Sequence, residues 1–163
     1  MTATYEKIAS TTLGSNAADV TFSTISGSYT DLVIAWNAGN SNGTTEDLLF
    51  QYNSDTGTNY SVTNLNGNGS TAASARYTGT PFISGNYPLA STIISMGLIN
   101  IFNYSNTTTY KTSIARTGSA SSYVFACVGT WRNTAAITAI KIFSSTGNLL
   151  SGSTFTLYGI KAE

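Results

Sequence analysis

From end to end the chain is cut into short runs rich in Val, Ile, Thr, Tyr and Phe by clusters of Gly, Asn and Ser, and almost no stretch carries the apolar spacing of a helix. The runs predict ten strands: Thr4 to Leu13, Asp19 to Ile25, Tyr29 to Ala38, Asp47 to Asn53, Asn59 to Leu65, Thr92 to Asn103, Thr109 to Arg116, Tyr123 to Trp131, Ile137 to Phe143 and Ser153 to Ile160. Turn signals such as Gly39-Asn40-Ser41-Asn42-Gly43, Gly67-Asn68-Gly69 and Gly147-Asn148 separate them. That many strands on short turns in 163 residues imply an all-β chain. The expected fold is an antiparallel β-sandwich, jelly-roll-like, built as one domain over 1–163.

Alternation orients some strands. Val20 and Phe22 should face inward, as should Leu48, Phe50 and Tyr52, with Asp47, Leu49 and Gln51 outward. Leu32 to Trp36, Ile93 to Phe102 and Tyr123 to Val128 are apolar on both faces, as in strands covered on two sides. One cover is the opposing sheet, and a neighbouring subunit could supply the other. The segment 67–89 breaks the rhythm with small residues, Pro81 and Pro88, and reads as one long excursion between two halves.

Composition limits the chemistry. There is no histidine and one cysteine, and charged residues make up 9% of the chain, seven basic against seven acidic. Ser, Thr and Asn, about two residues in five, carry the polarity. Even so, 41% hydrophobic and 12% aromatic residues exceed what a disordered polar tract holds. No run of Lys or Arg supplies the clustered charge on which nucleic-acid binding rests. No segment reaches the roughly 18 apolar residues of a membrane-spanning helix, and the opening Met1-Thr2-Ala3-Thr4-Tyr5-Glu6 lacks the parts of a secretion signal. The expectation is a chain folded in a cytoplasm, with neither nucleic acid nor membrane as partner. Cys127 lies in an apolar run with no basic neighbour to activate it, and reads as a small buried hydrophobe.

No catalytic, cofactor-binding or metal-binding residue is expected. Asp55-Thr56-Gly57 matches the aspartic-protease tripeptide, but the flanking Tyr52-Asn53-Ser54 and Thr58-Asn59-Tyr60 suit a turn between strands instead of the apolar strand that wedges such an aspartate. Ser-His catalysis is impossible without histidine, and zinc or iron lacks ligands. Calcium on Glu46, Asp47 or Asp55 has no dense acidic spacing behind it. Asn-x-Ser/Thr occurs at Asn42, Asn59, Asn68, Asn103 and Asn106, as chance provides in such a composition. Tyr and Trp are favoured anchors of protein contacts and of sugar stacking. The candidate interface residues are therefore Tyr77, Phe82 and Tyr87 in the excursion, followed by Trp131 and Arg132 at a strand end.

Several strings carry a resemblance: Tyr5-Glu6-Lys7-Ile8-Ala9-Ser10-Thr11-Thr12-Leu13, Val20-Thr21-Phe22-Ser23-Thr24-Ile25, Tyr29-Thr30-Asp31-Leu32-Val33, Asn53-Ser54-Asp55-Thr56-Gly57-Thr58-Asn59-Tyr60-Ser61, Trp131-Arg132-Asn133-Thr134-Ala135-Ala136-Ile137-Thr138 and Gly152-Ser153-Thr154-Phe155-Thr156-Leu157-Tyr158-Gly159-Ile160. Together they resemble small β-rich structural proteins of tailed bacteriophages, including those of cyanobacteria. Ser54 stands where that pattern would place Gly. The resemblance implies a virion protein without enzymatic activity: a capsid decoration (cement) protein, often homotrimeric, that binds between major capsid subunits on the capsid exterior. The alternative it implies is a head or tail fibre module that holds host-surface glycan or protein.

Overall fold

The computed structural model describes residues 4–89, 95–118 and 123–161. Among the described residues there are twelve strands and no helix, and every strand pairing is antiparallel. The wide sheet has eight strands, in spatial order β1 (Tyr5–Thr12), β12 (Thr154–Ile160), β3 (Asp31–Ala38), β8 (Ser95–Phe102), β9 (Lys111–Gly118), β10 (Val124–Trp131), β5 (Tyr60–Gly67) and β6 (Ala72–Thr80). The narrow sheet has four, in the order β2 (Asp19–Phe22), β11 (Ile140–Ser144), β4 (Glu46–Tyr52) and β7 (Ile83–Leu89).

An eight-strand jelly roll places its first, eighth, third and sixth strands in one sheet and its second, seventh, fourth and fifth in the other. Counting from β2, the narrow sheet has that first order, and the wide sheet has the second with its seventh position expanded into the meander β8-β9-β10. β12 and β1 extend the wide sheet beyond β3. The fold is an antiparallel β-sandwich of jelly-roll type.

Alternation places the core. Leu32, Ile34 and Trp36 of β3, Ile99 and Ile101 of β8, and Phe155 and Leu157 of β12 face Phe22, Leu48, Phe50, Ile140 and Ile142 of the narrow sheet, all of them buried. Cys127 belongs to the same cluster. The indole of Trp36 reaches Phe50 across the sheets at 5.5 Å between ring centroids, and it lies across Gly97 of the adjacent strand. A Cβ at Gly97 would stand 2.3 Å from that ring, so the absence of a side chain is what admits the indole.

The abundant asparagines build the turns. Asn68 Oδ1 accepts from the backbone N–H of Ser70 at 3.0 Å and of Thr71 at 2.8 Å; Asn106 Oδ1 does the same for Thr108 at 2.7 Å and Thr109 at 2.9 Å. A side-chain carbonyl that mimics a backbone one stabilises a tight turn locally.

The structure corrects the sequence reading in three places. The excursion 67–89 is two strands, β6 and β7, which carry the chain from one sheet to the other. β6 is a sheet edge exposed along nearly its whole length, so it has no apolar alternation to betray it. Leu49 and Gln51, expected to face solvent, are buried. The turn between β6 and β7 folds over that side, where Gln51 Nε2 donates to the Pro81 carbonyl at 3.1 Å and Phe82 packs edge-on against Phe143, the register neighbour of Leu49. β11 begins at Ile140 instead of Ile137 because the preceding backbone is bound elsewhere, as described below.

Gly97→Ala should push a methyl group into the Trp36 ring and destabilise the fold by about 1–3 kcal/mol. Urea unfolding should show this as a lower midpoint with an unchanged slope.

Candidate functional site

Three features of the chain could carry function, and the first is the Asp55 loop. The backbone leaves β4 through Asn53 and Ser54, both at positive φ (51° and 57°), and Asp55 then turns its carboxylate inward. Trp131 Nε1 donates to Asp55 Oδ2 at 2.7 Å, Asn59 Nδ2 at 2.9 Å, and the Gly57 N–H donates to Oδ1 at 2.8 Å. Burial alone pushes the Asp55 carboxyl up, but the bonds from Trp131, Asn59 and Gly57 outweigh it and hold the group below its usual range.

Around Asp55 the Tyr60 ring stacks on Trp131 at 6.2 Å, Tyr52 meets Trp131 edge-on at 5.7 Å, and the Tyr60 hydroxyl accepts from the Tyr52 N–H at 3.0 Å. The Asn53 side chain accepts from the N–H groups of Thr138 at 2.8 Å and Ala139 at 3.0 Å and donates to the Ala136 carbonyl at 2.7 Å. Arg132 donates to Ser61 Oγ and, at 2.6 Å, to the Thr58 carbonyl. The strings Asn53 to Ser61 and Trp131 to Thr138 are thus one clasp. Its carboxylate is saturated with donors.

Trp131, a candidate interface residue from sequence, is 1% exposed and belongs to the core, because its indole is what Asp55 binds. Arg132 faces the clasp with its guanidinium spent on Ser61 and Thr58. The Tyr87 side chain lies outside the described residues.

Tyr77 and Phe82 meet at the second feature, a cleft of about 290 Å³ at the corner where β6 hands over to β7, completed by Thr80, Ser84 and Asp47. Ser84 Oγ donates to Asp47 Oδ2 at 3.0 Å and Thr80 Oγ1 to the Phe82 carbonyl at 2.8 Å, which leaves the cleft with acceptors to offer. Burial pushes the Asp47 carboxyl above its ordinary range; the Ser84 bond opposes this, and the adjacent Glu46 charge adds to the rise. Among the described residues the ion pairs are Lys141 with Asp19 at 3.4 Å and Lys161 with Glu6 at 2.6 Å, and no basic side chain reaches Asp47.

The third feature is the face of the wide sheet turned away from the core. Met96 and Leu98 of β8, Ile114 of β9, Val124 and Val128 of β10 and Leu65 of β5 all stand on it, exposed by 39% to 64%. Their registers make them neighbours: Ile114 lies opposite Val128, and Leu65 opposite Ala126 between Val124 and Val128. They sum to on the order of 600 Å² of apolar surface, the upper end for a lone monomer and close to one side of a standard interface. Arg116, opposite both Leu98 and Ala126, is the charge within the patch. Sequence reading did not place these residues among the candidate interface, although Met96, Leu98, Val124 and Val128 lie in the runs it marked as apolar on both faces; Ile114 and Leu65 lie outside those runs.

No protein-family model and no curated protein matches the chain. Among solved structures, a protein of unknown function from Shewanella oneidensis MR-1 aligns over 98% of this chain and 80% of its own at 7% identity, with a TM-score of 0.21. A similarity that low carries no argument about fold or function.

Asp55→Ala should cost about 2–3 kcal/mol by leaving the Trp131 N–H buried without an acceptor. Asp55 and Glu46 both have lowered folded-state values, Glu46 at about 2 through bonds from Ser145, Thr146, Thr44 and Asn42. Their stabilisation is complete above the unfolded values of 3.8 and 4.5 and is lost as pH falls through the folded ones. Melting temperature should therefore drop below pH 4.5, less steeply in Asp55→Asn. Ser54→Gly, which relieves a left-handed residue, should stabilise by up to about 1 kcal/mol in chemical denaturation.

Proposed function

We propose that this chain is a non-enzymatic structural protein of a tailed-bacteriophage virion, a decoration (cement) protein that binds between major capsid subunits on the capsid exterior. The observation that carries this reading is the uncovered apolar face of the wide sheet. Some 600 Å² of contiguous Leu, Met, Ile and Val surface is unfavourable in water, and it is the size of surface that protein association buries. We assign its cover to sister copies in a homotrimer. Two copies packed face to face would bring two Arg116 side chains together, whereas a cyclic arrangement sets each patch against a different surface of its neighbour.

The remaining surface, neutral and rich in hydroxyls and amides, suits contact with a large shell through many weak interactions that add by avidity. A protein that binds only the assembled shell stabilises it by mass action. The saturated Asp55 carboxylate supports the non-enzymatic reading, because a general base needs a free lone pair in reach of substrate.

Imaging of virions with labelled protein should find copies spread over the capsid, and particles lacking the protein should release DNA at lower temperature. Copies confined to the tail would overturn the cement reading in favour of a fibre module. Val124→Asp and Val128→Asp should each leave the fold intact and weaken self-association at least tenfold, about 1.4 kcal/mol, in analytical ultracentrifugation.

A further inference from the structure

Burying the apolar face has an electrostatic condition attached. Arg116 stands within it, and no carboxylate pairs with it among the described residues. A guanidinium desolvated without an acceptor costs several kcal/mol, so the surface that covers this face must bring acceptors, of which a carboxylate is the strongest.

Most of the chain's own carboxylates are already engaged. Glu6 and Asp19 have lysines, Glu46 accepts from Ser145 at 2.7 Å, Thr44 at 2.8 Å and Asn42 at 2.9 Å, and Asp55 is held by Trp131, Asn59 and Gly57. Asp31 accepts the Asn103 N–H at 2.7 Å at the end of its own strand in the wide sheet. Asp47 differs. It has one hydroxyl donor, Ser84, and it sits in a concave site walled by the rings of Tyr77 and Phe82.

Resting on the reading that copies of this chain cover one another's apolar face, we propose that Arg116 of one copy inserts into the Asp47–Tyr77–Phe82 cleft of the next. The chemistry of the two halves is complementary. The hydroxyl hydrogens of Ser84 and Thr80 are committed inside the cleft, so the Asp47 carboxylate and the hydroxyl oxygens are left as acceptors, with the Tyr77 hydroxyl able to donate or accept, and a guanidinium is a donor-only group. Its planar fork matches a carboxylate and its faces stack on aromatic rings, which a lysine ammonium does less well. About 290 Å³ is ample for one such head group. The two halves lie on different surfaces, a sheet face and a corner between the sheets, so the contact is head-to-tail, the kind a ring of copies is built from. Tyr and Arg are also among the residue types that dominate association energy.

Charge reversal tests this in sedimentation equilibrium on the intact chain, with circular dichroism as the folding control. Arg116→Glu and Asp47→Lys should each raise the dissociation constant at least tenfold, and the double variant should recover most of the loss. Asp47→Asn, milder for a half-buried site, should weaken association as well. A wild-type chain that stays monomeric overturns both the self-association reading and this contact. A wild-type oligomer that is indifferent to the single reversals, or a double variant no better than the singles, overturns the contact alone.

Discussion

A sandwich survives only if its sheets cannot slide or part at the corners where the chain crosses between them, and here one carboxylate ties two such crossings together. Asp55 lies on the connection from β4 to β5, and the indole it binds ends β10, just before the connection to β11. Asn53 and Arg132 fasten the same two connections from either side. The stacked Tyr60 and Trp131 rings fill the space beneath. With no disulfide available, this charge-assisted network does the work of a staple. The Asp-Thr-Gly sequence has an architectural role here: the bonds from Trp131, Asn59 and Gly57 each occupy a lone pair of its carboxylate.

The second constraint is width. Four strands cannot cover both faces of eight, and the meander that expands the seventh jelly-roll position puts β8, β9 and β10 at the centre of the wide sheet. Their inner residues meet the narrow sheet, while their outer residues are left apolar and facing water. The handover from β6 to β7 has the opposite character, a small concave corner whose aspartate has no cation partner among the described residues. In an isolated copy Arg116 is exposed and hydrated and Asp47 is held by Ser84, so it is the apolar face that is unfavourable in water. The contact proposed above would bring Arg116 and Asp47 together.

Much of the fold is legible in the residues, and the exceptions have physical causes. Val20, Phe22, Leu48, Phe50 and Tyr52 face inward as their period of two requires, because one face of each strand must meet the core. The strands β6 and β7 are hidden, since an edge exposed along its length needs no apolar period and prolines are tolerated there. Trp131 looks like an anchor for partners because a tryptophan at a strand end carries no mark of which way its indole turns; the acceptor that turns it inward is 76 positions away in the chain. The apolar outer face is half legible. Two-sided runs disclose that β8 and β10 are apolar on both faces, but the neighbours across the sheet, Ile114 and Leu65, lie in strands that read as ordinary.

By itself, then, the sequence determined the all-β class, the approximate strands, the turn chemistry of its asparagines and the scarcity of groups able to run a reaction. These are local properties, written in periods of two and in the torsional habits of Gly, Asn and Ser. Only the tertiary structure decided that the motif around Asp55 is a clasp, that Trp131 is core, and that Arg116 and Asp47 stand on separate surfaces with no ion-pair partner among the described residues. Each of those depends on which distant residues come together. Strand order sets that, and no local pattern records it.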